Sequence, residues 1–162
     1  MGLASRCGQN NAIAQSEIHR SYYSYTVAID LDRIGIDGEI EIPQAEKAER
    51  IKAFLDAVHY LYRDIKGRRE NFSPLFIIGG CYSRKNPFFE NRVRVEKNKI
   101  NVNTLKEVLG EDKDIEENTV VGVATDIFDN DQEIKETLKA TTVGKVFDHL
   151  KEEVEKYYGE SN

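Results

Sequence analysis

Between residues 62 and 99 the chain carries ten basic residues and four acidic ones, a local charge of +6 in a protein whose net charge is −6. The cations fall in three groups. Arg63, Lys66, Arg68 and Arg69 surround Gly67, Arg84 and Lys85 follow the pair Gly79–Gly80, and Arg92, Arg94, Lys97 and Lys99 close the stretch. Tyr82, Phe88 and Phe89 are interleaved with them, and Ser83, Asn86 and Asn91 add neutral hydrogen-bonding groups. Guanidinium and ammonium groups neutralise phosphates, and aromatic rings offer faces on which unpaired bases stack, so the combination suits a single-stranded RNA. Arg84, Lys85, Arg92 and Arg94 are the first candidates for phosphate contact, followed by His19, Arg20 and Tyr22. The competing reading of the same charges is a solvated surface without a partner.

Other chemistries find little support. There is no phosphate-binding GxxxxGK[ST] loop, and Gly79–Gly80 alone is no dinucleotide fingerprint. His19, His59 and His149 lack metal-ligand spacing, and no cofactor or metal is expected. Asp126, Asp129, Asp131 and Glu133 resemble a calcium loop only superficially. Counted from Asp129, Ile134 stands where glycine is needed and Ala140 where the bidentate glutamate belongs. Asp30 and Asp32 suit a turn that caps its own backbone better than a metal.

The elements that would position the cations follow from periodicity. Tyr23, Tyr25, Val27 and Ile29 share one parity and predict a first strand with one dry face, ending at Gly35. Apolar residues at helical spacing, from Ala48 through Ile51, Val58 and Ile65, predict a long helix over 44–66, with Pro43 in its first turn and Gly67 as its stop. His59 reads as a packing residue beside this stripe. Leu75-Phe76-Ile77-Ile78 is a central strand whose Gly79–Gly80 end allows a bulge or the close approach of another backbone. Arg92–Glu96 alternates, with both arginines on one face, and returns through Ile100 as a hairpin. Thr104-x-x-Glu107 reads as a capping box for a short helix ending at Gly110. An acidic loop, a strand over 119–125, an irregular or partly helical segment over 126–140, and a C-terminal helix lined by Val143, Phe147, Leu150, Val154 and Tyr157 complete the chain. The predicted class is α+β, a ferredoxin-like βαββαβ order with an extra C-terminal helix and helices on one face of the sheet. Residues 1–18 read as a flexible arm or loop, with a short helix near Ala12–Ile18, and 19–162 as one domain.

No apolar run reaches membrane-spanning length, and no signal peptide is visible. Cys7 and Cys81 form no CxxC and favour a reducing, cytoplasmic setting. A Lys/Glu-rich composition without Trp leans toward a thermophile. The basic stretch is flanked by residues 1–61 at −3 and 100–162 at −9, a pattern that still permits one positive face.

One run goes beyond pattern. Tyr22-Tyr23-Ser24-Tyr25-Thr26-Val27-Ala28-Ile29-Asp30-Leu31-Asp32-Arg33-Ile34-Gly35 resembles the corresponding stretch of the DevR family of CRISPR-associated autoregulators, the RNA-binding backbone subunits of type I CRISPR interference (Cascade) complexes. Arg63 and Arg68–Arg69, then Phe72-Ser73-Pro74-Leu75-Phe76-Ile77-Ile78-Gly79-Gly80 and Asn86-Pro87-Phe88-Phe89, follow in the family's order, so the resemblance spans roughly residues 17–125. It implies a modified RRM palm that holds guide RNA without cleaving it, copies stacked head to tail into a filament, other CRISPR-associated subunits as partners, and a role in antiviral defence. The alternating Phe/Tyr signature of an RRM sheet is absent, so the RNA is expected to be held by its backbone more than by base readout. Family members are longer, with an N-terminal half that has no counterpart here, so the resemblance implies a C-terminal half.

Two readings stand beside this one. The first is a metal-independent endoribonuclease of ferredoxin-like fold acting in CRISPR RNA processing, with His19, Tyr22 and Lys85 as its acid, base and charge stabiliser. The second is a homo-oligomeric regulatory domain that binds no nucleic acid.

Overall fold

A computed structural model describes residues 2–5, 11–14 and 21–160, the first two of these as backbone strands. β1 (Gly2–Ser5) and β2 (Asn11–Ala14) pair antiparallel, Gly2 against Ala14. Asn11–Ala14 is thus a strand where a short helix was expected.

Residues 21–30 form no strand ladder. The expected dry face is wet: Tyr23 is 65% exposed, and Tyr25 and Val27 are also exposed. Alternation supplies a face, but a strand also needs a neighbour's edge to bond to, and among the described residues none pairs with this segment. Only its end reaches the interior, where Ile29, Leu31 and Ile34 pack against Ala48, Ile51, Val154 and Tyr158. A 3₁₀ turn over Leu31–Arg33 leads to Gly35, whose φ is +70° and where a Cβ would lie 2.3 Å from Ile42 Cγ1. That approach lets β3 (Ile36–Asp37) and β4 (Ile40–Glu41) close as a two-residue-deep hairpin.

α1 (Gln44–His59) is shorter than the sequence suggests. Its last turn is closed by the Tyr60 and Leu61 amides, and the chain then forms β5 (Tyr62–Ile65) and β6 (Arg68–Asn71). Lys66 and Gly67, both at positive φ, make the two-residue turn between them. Gly67 therefore turns a hairpin rather than stopping a helix. Two successive left-handed residues match the twist of paired strands, and that local preference prevails over the helical spacing of Ile65.

β7 (Phe76–Gly80) is followed by a long loop and a third tight hairpin, β8 (Val95–Glu96) and β9 (Lys99–Ile100), turned by Lys97 and Asn98, which like Lys66 and Gly67 are both at positive φ. α2 (Val102–Leu109) is capped by Asn101, whose side chain accepts from the Thr104 amide, so the cap lies three residues before the expected Thr104 box. The acidic stretch holds a helix, α3 (Lys113–Asn118), capped by Asp112. β10 (Thr119–Val123), α4 (Asp131–Thr137) and α5 (Val143–Glu160) complete the order.

The chain is α+β, and its central sheet is β7 paired antiparallel with β10, extended on the far side of β10 by a parallel bridge between Gly122 and Thr141. Helices cover both faces of this sheet, not one. Phe76, Ile78, Val121 and Val123 share a face and pack with Leu105, Phe128, Ile134 and Leu138. On the opposite face Gly122 lies so close to α5 that a Cβ would sit 2.9 Å from Val146 Cγ2 and 3.0 Å from Val143 Cα. α1 then packs on α5, with His59 stacked on Phe147 at 4.5 Å between ring centres. The continuous apolar run of β7 is the sequence mark of a strand dry on both sides.

Candidate nucleic-acid interface

The three groups of cations land on three structures, and their electrical surroundings differ. On the β5–β6 hairpin every residue is exposed. Register places Arg63, Ile65, Arg68 and Glu70 on one face and Tyr62, Asp64, Arg69 and Asn71 on the other. Arg69 lies over the Tyr62 ring, 4.2 Å from its centre, and bonds Asp64 at 3.3 Å. Arg63 and Arg68 have no carboxylate partner among the described residues. Tyr60, Leu61, Tyr62, Ile65 and Phe72 leave apolar surface exposed on and around this hairpin.

Arg84 and Lys85, the first two expected phosphate ligands, are held by carboxylates. Arg84 Nη1 lies 3.0 Å from Asp112 Oδ2. Lys85 Nζ lies 2.9 Å from Asp30 Oδ1 and 2.6 Å from Asp32 Oδ2. The neighbouring Ser83 donates both its amide (3.0 Å) and its hydroxyl (2.7 Å) to Asp114 Oδ2. Asp32 also accepts from the Tyr157 hydroxyl. These bonds from Lys85 and Tyr157 hold the Asp32 carboxyl below its ordinary range, and the bonds to Asp32 and then Asp30 hold the Lys85 ammonium above its own. Ser83 likewise lowers Asp114. Sequence reasoning missed these partners, although a signal exists: Asp30-x-Asp32 and Asp112-x-Asp114 repeat one spacing.

Arg92 and Arg94 differ. Both are exposed, and neither has an ion pair among the described residues. Val93 between them packs against the core, while both arginines remain exposed. Lys97 and Lys99 on the adjoining β8–β9 hairpin are likewise exposed without a carboxylate partner among the described residues. The hairpin is well anchored. The Asn98 amide donates to Ile127 O at 3.2 Å and to Asp129 Oδ1 at 2.7 Å, and its backbone carbonyl accepts from the Asp129 amide at 3.0 Å. Tyr22 joins this anchor. Its hydroxyl donates to Asn98 Oδ1 at 2.8 Å, and its ring lies 5.5 Å from that of Phe128. It therefore touches the cationic hairpin as a support. His19 and Arg20 lie outside the described residues. No group of three or more His, Cys, Asp or Glu residues arranged to hold a metal occurs among the described residues.

A helix-covered α+β domain with basic hairpins and an aromatic-rich N-terminal run is the class these observations define. A family model described as CRISPR-associated negative auto-regulator DevR/Csa2 matches residues 4–104, more than half of the 162. The chain belongs to that family, and its role is CRISPR-associated. Comparison with curated proteins gave no match, and comparison with solved structures gave none. No helix among the described residues is long and apolar enough to cross a membrane.

Proposed function

We propose that this chain is a non-catalytic CRISPR subunit that binds the backbone of guide RNA, assembles with copies of itself and with other CRISPR-associated subunits into the filament of a type I interference (Cascade) complex, and so serves antiviral defence in the cytoplasm. The observation that carries the reading is the set Arg92, Arg94, Lys97 and Lys99, exposed without a carboxylate partner among the described residues, on a loop and hairpin of a chain from this family. Four cations on a firmly anchored support suit a strand of phosphates. The ferredoxin-like, RRM-derived order belongs to the same proposal. With both faces of the β7–β10 sheet covered, the RNA runs along hairpins and loops rather than across the sheet. Cleavage is not part of the reading, which uses the Tyr22 hydroxyl as a support for Asn98.

The test is an anisotropy titration of end-labelled single-stranded RNA in EDTA over a series of salt concentrations. The wild-type chain should bind and leave the RNA at full length. The double variant Arg92→Ala/Arg94→Ala should bind more weakly and lower the log K against log salt slope by about 1.4, or about 0.7 for each lost single-strand phosphate contact. No binding at low salt, an unchanged slope in the double variant, or shortened RNA would overturn the proposal.

A further inference from the structure

The tripeptide Ser83–Arg84–Lys85 is gripped from two sides by the Asp-x-Asp pairs already described, Asp112 and Asp114 on one flank and Asp30 and Asp32 on the other. Two cations face four carboxylates, a local balance of −2. This end of the loop, although its sequence is basic, therefore presents net negative charge to a phosphate. The cations are nonetheless the outer members of their pairs. The Arg84 side chain is 69% exposed against 28% for Asp112, and Lys85 is 61% exposed against 34% for Asp30. A phosphate can reach the outer side of both without the loop being remade.

We propose that Asp30, Asp32 and Asp112 act as an internal competitor that occupies Arg84 and Lys85 and yields them only to a polyanionic strand. This rests on the RNA reading above. A free nucleotide or inorganic phosphate gains one contact at the expense of another and stays in bulk solution at its own concentration. A strand already gripped at Arg92 and Arg94, on the same loop, presents its next phosphates at a high effective concentration and can displace the carboxylates. The device discriminates a long RNA from the small phosphates that share its chemistry.

The experiment compares the wild type with Asp112→Asn and Glu111→Gln in the salt-series titration described for the arginines. Asparagine at 112 retains an acceptor for the α3 amide but removes the 3.0 Å carboxylate partner of Arg84, whereas Glu111→Gln makes the same charge change one residue away. Asp112→Asn should bind RNA about 2–5-fold more tightly at each salt concentration, the worth of one exposed ion pair that no longer has to be broken, and inorganic phosphate should compete better against it than against the wild type. Glu111→Gln should leave the RNA affinity and the phosphate competition at wild-type values. The double variant Asp30→Asn/Asp32→Asn, which removes both carboxylate partners of Lys85 and does not touch α3, should behave as Asp112→Asn does and serves if the first variant fails to fold. RNA bound with equal affinity and equal phosphate competition by all chains overturns this inference alone. No RNA bound by any of them removes the underlying reading, and this one with it.

Discussion

Tyr82 shows how one side chain ties the cationic loop to the sheet. Its hydroxyl shares a 2.9 Å hydrogen bond with Thr119 Oγ1, and its ring meets Phe88 edge-on at 5.1 Å. Burial, the largest cause, pushes the phenol up from its usual value to about 12. The neutral form is the one the fold accommodates. A folded value above the unfolded one of about 10 means that this contribution to stability is complete below about pH 10 and is lost as pH rises toward about 12. Denaturant unfolding across that window should show a declining midpoint, and Tyr82→Phe should flatten part of the decline. A residual slope is expected from Tyr157, whose bond to Asp32 raises its phenol to about 12 as well. An unchanged pH profile in Tyr82→Phe would refute this account. At this scale the sequence was legible in type and not in pairing. Arginine and lysine announce a phosphate surface, but only the fold reveals that Arg84 and Lys85 meet aspartates from positions far from them in the chain, while Arg92 and Arg94 meet none among the described residues.

At the scale of elements the glycine pair is instructive. The sequence reading allowed either a bulge or a close backbone, and the structure assigns the second to Gly80 alone. A Cβ there would lie 1.8 Å from the Asn118 carbonyl oxygen, whereas at Gly79 nothing lies within 4 Å. Gly80→Ala should therefore destabilise the chain by about 1–3 kcal/mol or more, because backbone must yield. Gly79→Ala should be neutral or stabilising by up to about 1 kcal/mol, since alanine restricts the unfolded chain. Urea denaturation of both variants decides the matter, and equal effects would contradict the assignment. Strands β7 and β10 were readable as short apolar runs and helix α5 from its long helical period. The segment 21–29 and the end of α1 were misread for a shared reason. Periodicity describes what a face could bury, while ladder partners and a Lys66–Gly67 turn decide what forms.

For the whole molecule, the order of layers is what sequence alone could not supply. One-sided cover follows naturally from an alternating first strand, but the burial of both β7–β10 faces depends on α5 folding back against Gly122. Phe147, fully buried, joins these layers, since α5 lies on the sheet and its ring stacks on His59 of α1. Phe147→Ala should cost about 3–5 kcal/mol and loosen α1 and the sheet in one cooperative transition. Separate transitions for helix content and tyrosine fluorescence would argue instead for layers that melt independently.

Both basic hairpins turn through only two residues, each beginning with a lysine: Lys66–Gly67 and Lys97–Asn98. A turn so short has no slack. The reach of each ammonium is already limited to the freedom of its own side chain, so engaging a ligand demands little ordering of the main chain, and more of each contact's energy is retained as affinity. Longer, looser tips of equal charge would surrender part of that energy to lost entropy.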